Sequence, residues 1–352
     1  MFTLKMQFMF KLISKIWSKI PNKVKLYAAS VFVVLIILII LSVSYLGFKP
    51  IKKYTGKNIE KMSYEQSKIK FKDEMSSKDN NSISAECKSK LLEHSQKTNK
   101  VVVLFHGFTN CPAQFDILAK QLYDQGYNVL IPRIPHHGLK DTLTTDLENL
   151  NVNELTDQIQ LSISIASGLG VKISAFGISG GAVMAAFAGY FYNDVKNVFI
   201  AAPIFTPQQY AAWQLPFLIN LVDTLPSQFV WWDDSVKEKI EGPKYAYPRF
   251  ALKAVNAFIT LSYQLKIALE TKQVYQEGKR LVLMTTEKDP AVNNTVARYL
   301  IDLWSSNPDT VLVAYQFSSQ QMPIHDFIDP NQKKANTGYI YPVILDLFQR
   351  GD

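Results

Sequence analysis

Val171-Lys172-Ile173-Ser174-Ala175-Phe176-Gly177-Ile178-Ser179-Gly180-Gly181-Ala182 contains three pieces in one line. A short β-branched run over residues 171–176 passes directly into Gly-Ile-Ser-Gly-Gly, and a stretch of small residues opens at Ala182. When a strand turns sharply into a helix, the residues two before and two after the central serine are pressed together, so their side chains must be nearly absent. Gly177 and Gly181 meet that need. The turn lifts the Ser179 hydroxyl above the sheet, and the helix N-terminus beyond it favours negative charge. Ser179 is therefore the candidate nucleophile.

Similar texture surrounds this stretch. Residues 101–105, 127–131, 171–176, 198–202, 281–286 and 311–317 form short, β-branched, mostly continuous apolar runs, the pattern of strands buried on both faces of a parallel sheet. Helical patterns fall between them over residues 112–125, which start at Pro and stop before Gly126, and over 154–167 and 182–192. Alternation of this kind predicts a doubly wound α/β domain over residues 85–350. Between residues 202 and 281 the rhythm breaks, because the interval far exceeds one crossover helix. An insertion of about residues 203–278, rich in aromatic residues such as Trp213, Phe217, Trp231, Trp232, Tyr247 and Phe250, is expected as a helical cap with an apolar underside.

A serine hydroxyl needs a base, and the base needs an acid to hold it. Of the five histidines, His325 follows the last run, and Asp289 lies just past the end of the 281–286 run. The chain order Ser, Asp, His matches this architecture, with Glu287 as the nearer competitor for the acid and Asp326 and Asp329 as rivals beyond the histidine. The oxyanion of a tetrahedral intermediate needs backbone donors. His106-Gly107-Phe108-Thr109 follows the 101–105 run, which puts the backbones of Phe108 and Gly180 in position for that role, with His106 and Gly107 supporting the loop. His136 and His137 are adjacent and lack zinc-ligand spacing, so they read as loop structure and no metal is expected.

From Leu26 to Phe48 no residue is charged, and about 23 residues at 1.5 Å rise span a ~30 Å hydrocarbon core. Residues 26–48 are thus expected to be a transmembrane helix, preceded by a basic amphipathic leader over 1–25 in which Lys11, Lys15 and Lys19 face away from Ile13, Ile16 and Trp17. A cleaved signal peptide is the competing reading. Residues 49–84, rich in Lys, Ser, Asn and Glu, read as a polar stalk. The net charge of +8 belongs to the first 80 residues, which hold 15 Lys against 5 acids, leaving 23 basic and 25 acidic residues beyond. No basic stripe remains for nucleic acid. Lysines flank both ends of the span, so orientation rests on an uncut anchor carrying the bulk of the chain to the extracytoplasmic side. Cys87 and Cys111 pair if that side is oxidising and are otherwise two buried thiols. Nothing in the sequence bears on oligomeric state.

The segments Leu104-Phe105-His106-Gly107-Phe108-Thr109, Ile131-Pro132-Arg133-Ile134-Pro135-His136-His137-Gly138, the turn around Ser179, Asp289-Pro290-Ala291-Val292 and His325-Asp326 resemble the α/β-hydrolase superfamily, specifically its monoacylglycerol lipase and serine aminopeptidase-like branch. The resemblance covers about residues 85–350. It implies that Ser179 attacks a carbonyl, His325 acts as base and then acid, Asp289 orients the imidazole, and Phe108 and Gly180 bind the oxyanion without metal or organic cofactor. His136 stands where that branch usually has glycine. The expected substrate is an apolar acyl ester or lipid met at the bilayer. A peptidase and a tethered, non-catalytic binding module are the alternatives.

Overall fold

The computed structural model describes residues 20–48, 50–274, 278–318, 320 and 324–350. Two units separate between residues 49 and 50. In the first, helix α1 (Asn22–Phe48) contains the uncharged run, and its stretch Asn22–Ser42 has a mean hydropathy of 2.8 with none of its side chains buried. That helix is long and apolar enough to cross a membrane. Residues 1–19 of the expected amphipathic leader lie outside the described residues.

In the second unit the elements run α2 (Tyr64–Lys70), β1 (Lys90–Leu92), β2 (Thr98–Phe105), α3 (Asp116–Asp124), β3 (Tyr127–Ile131), α4 (Val152–Leu169), β4 (Gly170–Ile178), α5 (Gly180–Phe191) and β5 (Val195–Ala201). They continue with α6 (Leu215–Thr224), β6 (Phe229–Trp231), β7 (Arg249–Ala251), α7 (Leu252–Glu270), β8 (Lys279–Thr286), α8 (Asn294–Ser305), β9 (Thr310–Phe317) and α9 (Thr337–Gln349). All six apolar runs are strands of a seven-stranded sheet ordered β1-β3-β2-β4-β5-β8-β9. Only β1, at one edge, is antiparallel to its neighbour. This is the α/β-hydrolase fold.

Alternation along each strand builds two cores. Val101, Val103 and Phe105 of β2 face a cluster shared with α4, α5, α7 and α8, whereas Val102 and Leu104 face a second cluster shared with α3 and α9. Both faces being covered is why most of these strands read as nearly continuous apolar runs. The register Phe105↔Gly177, Ile178↔Ala201 and Thr286↔Phe317 aligns the C-terminal ends of β2, β4, β5, β8 and β9 along one edge. The loops that follow them therefore converge there.

Two expectations need correction. The insertion is only partly a helical cap: β6 and β7 form a two-stranded antiparallel ribbon, and α7 buries Ala257, Phe258, Leu261 and Leu265 in the main core. Its apolar residues serve the core as well as the cavity. The segment after residue 49 is also no solvated stalk. Tyr54, Met62, Ser67, Met75, Asp79 and Ile83 are buried, and Ser63 with Gln66 forms a capping box that starts α2. Ser67 packs where Gly168 has no side chain, since a Cβ there would lie 2.2 Å from the Ser67 hydroxyl. Polar composition concealed this, because only isolated apolar residues are needed to anchor a strap to an existing surface.

Candidate active site

Ser179 lies between β4 and α5 with φ 55° and ψ −114°, a left-handed conformation that costs a non-glycine residue about 1–3 kcal/mol. Neighbours over-determine it. Its N–H donates to the Ala201 carbonyl at 2.9 Å, and its own carbonyl accepts from Ala182 and Val183 at 3.1 and 3.3 Å. The glycines are obligatory: a Cβ on Gly177 would meet the Gly181 carbonyl oxygen at 2.0 Å, and one on Gly181 would meet that of Phe105 at 2.0 Å. Gly181 thus allows α5 to start directly against the end of β2.

His325 lies in the loop after β9, and its Nδ1–H donates to Asp289 Oδ2 at 2.8 Å. The other oxygen of Asp289 accepts from the backbone N–H groups of Ala291 and Val292 at 2.9 and 3.1 Å. Burial pushes this carboxyl's pKa up, but the His325 hydrogen bond and charge and those two amides outweigh burial and hold it below the usual carboxylate range. Among the rival acids, Glu287 is exposed. Asp326 and Asp329 instead accept from Asn110 Nδ2 at 3.2 and 3.0 Å. Residues 321–323, just before His325, lie outside the described residues.

Gly107 and Phe108 follow β2. The Gly107 N–H donates to Gln114 Oε1 at 2.7 Å, and buried His106 donates from Nδ1 to the Gly107 carbonyl at 2.9 Å while Nε2 accepts from the Ile134 N–H at 3.0 Å. With both ring nitrogens engaged and burial, then His137, driving its pKa well down, His106 is a neutral brace. Phe108 lies against Gly180, where an added Cβ would be 3.3 Å from that of Phe108. Among the described residues, neither the Phe108 nor the Gly180 N–H is taken by a backbone acceptor. Both are available for a ligand.

Ser179, His325 and Phe108 open onto one cavity of about 820 Å³, walled by Leu218, Leu221, Val230, Phe250 and Val255 from the insertion. Among the described residues no lysine or arginine lines it. Its two carboxylates are both engaged: Asp326 also accepts from Gln332 at 2.9 Å, and Glu241 pairs with Lys333 at the surface. Neither adjacent histidine lines the cavity. His136 is braced between Asp146 at 2.9 Å and Glu154 at 3.1 Å, and His137 is buried with its pKa pushed down to about 3 by desolvation. Among the described residues no group of three or more His, Cys, Asp or Glu is placed to hold a metal ion. Cys87 and Cys111, both fully buried, have their Cα atoms 5.2 Å apart with the sulfurs at bonding distance.

Sequence reasoning missed the residues that hold the Phe108 loop from above. Thr109, at φ 63°, accepts from the Trp232 indole N–H at 3.0 Å through its hydroxyl and from the Tyr247 N–H at 2.8 Å through its carbonyl. Phe108 packs edge-on against Trp232, Phe250 and Phe258. Interval length and aromatic enrichment pointed to the insertion, but no periodicity identified these partners.

A serine on a strand-to-helix turn, an Asp–His pair on later loops and a largely apolar cavity together define an α/β-hydrolase. A model of the serine aminopeptidase (S33) family matches residues 96–316, and the chain belongs to that family. No curated protein matches it by sequence. Its fold is similar to solved structures at low identity. A metagenome-derived lipolytic enzyme, described with LipS and LipT, superposes with a TM-score of 0.57 at 15% identity, covering 76% of this chain and 99% of the other. The monoacylglycerol lipase of Paleococcus ferrophilus gives 0.54 at 18%, covering 75% and 98%. A soluble variant of the monoglyceride lipase of Saccharomyces cerevisiae gives 0.53 at 14%, covering 75% and 91%.

Proposed function

We propose that this protein is a membrane-anchored serine hydrolase that cleaves carboxylic esters of apolar acyl groups, with Ser179, His325 and Asp289 as its triad. In this reading Asp289 holds the imidazole with Nδ1 protonated, so Nε2 takes the Ser179 proton as the oxygen attacks the ester carbonyl. The N–H groups of Phe108 and Gly180 receive the negative charge that develops, and the start of α5 adds its dipole. Collapse expels the alcohol with the proton from His325, and water repeats the sequence on the acyl-enzyme. The observation that carries the proposal is that the strained Ser179 and the Asp289-bound His325 face one apolar cavity.

That cavity favours an ester of a neutral, apolar compound over a peptide. Its wall is mainly Leu, Val, Ile and Phe side chains, and of its two lining carboxylates Asp326 is bound by the Asn110 and Gln332 amides while Glu241 pairs with Lys333 at the surface. The apolar helix α1 supports anchoring at a bilayer, and an extracytoplasmic hydrolase is the orientation proposed with it. A fluorophosphonate probe should label wild type and not Ser179→Ala. Equal labelling of the two would defeat the proposal. A panel of esters and aminoacyl amides then tests the substrate class, which fails if the amides turn over faster.

A further inference from the structure

The strap that precedes the family-matched region is tied to the back of the oxyanion loop. Asp79 is buried, and its two oxygens accept from Arg133 Nε and the Ser89 N–H, each at 2.6 Å. Arg133 in turn donates from Nη1 to the His137 carbonyl at 3.0 Å and from Nη2 to the Lys78 carbonyl at 3.2 Å. The ring of His137 lies edge-on to both His106 and Phe108, with centroids 5.3 and 5.8 Å away. A few residues on, the strap pairs with the same loop by backbone: Ser84 N–H to the Gly138 carbonyl and Lys140 N–H to the Ser82 carbonyl, both at 2.9 Å. Gly138 must be glycine there, with φ 73° and a Cβ that would come within 2.7 Å of Cys87. Cys87 meets Cys111, which lies three residues beyond Phe108.

We propose that residues 79–87 are a positioning element for the oxyanion donors, with Asp79 acting through Arg133 and His137, and Cys87 acting through Cys111. The proposal rests on the hydrolase reading above. Its physical basis is that an oxyanion hole works by pre-set geometry, and displacement by about 1 Å costs on the order of 100-fold in rate. The loop carrying Phe108 is held by the insertion at Thr109 and by the strap at Cys111, and Asp79 steadies it through Arg133 and His137, so loosening these ties lets the donor wander. An ordinary linker between an anchor and a domain would end in solvent. This one ends in an ion pair with Arg133, which holds the His137 carbonyl beside Phe108.

The test uses the full-length protein, comparing ester turnover and fluorophosphonate labelling in Asp79→Asn and in Lys57→Ala, which cuts an exposed pairing of the strap with Asp157 and leaves the Asp79–Arg133 pair and Cys87 in place. Asp79→Asn should lower kcat and the labelling rate together by about 10- to 100-fold, with KM within about twofold of wild type, because both reactions develop the same oxyanion charge. Lys57→Ala should retain wild-type kcat. A folded Asp79→Asn protein with wild-type kcat and only a lowered melting temperature overturns the proposal. Should Asp79→Asn fail to fold, the double variant Cys87→Ser, Cys111→Ser releases the second tie. It should show the same loss of kcat at unchanged KM, and full kcat there overturns the proposal. If wild type labels no better than Ser179→Ala, it is the hydrolase reading that has failed.

Discussion

Asp289 Oδ2 and His325 Nδ1 lie 2.8 Å apart across 36 residues of sequence, and that carboxylate is fully buried on its side chain while the imidazole is 20% exposed. Such an arrangement leaves the acid fixed and the base open to the cavity. Replacing Asp289 with Asn keeps the volume and loses the charge that selects the tautomer, so kcat for esters should fall by about 10³–10⁴-fold with the fold intact. A carboxyl whose pKa is depressed in the native state adds stability above its ordinary value of 3.8 and loses it as the pH drops through the native value. Thermal melts from pH 7 to pH 3 should therefore fall less steeply in Asp289→Asn than in wild type. An equally steep fall would show that the pair carries no such linkage.

Gly181 and Gly126 make opposite predictions for the same substitution. At Gly181 a Cβ would sit 2.0 Å from the Phe105 carbonyl oxygen and 2.5 Å from that of His106, both in backbone that cannot yield. Gly181→Ala should give insoluble or unfolded protein. Gly126 has φ 86° and open space around it, so Gly126→Ala should cost only about 1–2 kcal/mol of strain. Urea denaturation of the two variants decides the comparison.

Asp329 is fully buried between Asn110 and Tyr245, and burial followed by the charge of Asp326 pushes its carboxyl up to about 6. The native state then keeps a proton that the unfolded chain releases near 3.8, so the contribution is present below that value and is lost as the pH rises through 6. Asp329→Asn removes the loss. Relative to wild type its stability should grow by on the order of 1–2 kcal/mol between pH 4 and pH 7. Chemical denaturation at the two pH values reads the sign, and a constant difference would refute it.

Cys87 and Cys111 close a loop with a sequence separation of 24, for which chain entropy gives about 3.5 kcal/mol. A non-reducing peptide map should recover the two peptides linked, and reductant should lower the melting temperature. Recovery of two alkylatable thiols from native protein would exclude the bond.

Helix α1 should keep the full-length protein in the membrane fraction through a high-salt wash, because apolar burial does not weaken as ionic strength rises. Release of a soluble protein lacking residues up to about 44 would instead mark the segment as a cleaved signal.

The strands and the serine turn were legible because their signals are local. A run buried on both faces tends to be continuously apolar, as residues 101–105 are, and a turn as tight as that at Ser179 leaves room only for glycine at positions 177 and 181. Chain order narrowed the acid and base to a few residues. It did not separate Asp289 from Glu287, because two side chains two residues apart on one loop differ only in which way the backbone aims them. The edge strand β1 has three half-buried residues, too few for a pattern. The C-terminal α9 escaped notice behind Pro342, which lies inside the helix.

The sequence of this protein by itself determines an α/β core, a serine raised on a glycine-flanked turn and an apolar N-terminal helix, since each depends on residues within about 25 positions of one another. Tertiary structure alone decides the rest. It selects Asp289 as the carboxylate facing His325, recruits Trp232 and Tyr247 from the insertion onto Thr109, and turns the polar segment after residue 49 into a strap whose Asp79 is buried against Arg133. Such contacts join surfaces that the chain brings together only after the sheet has formed. A single buried aspartate, or a tryptophan engaged by one hydrogen bond, leaves no periodic mark by which to find it beforehand.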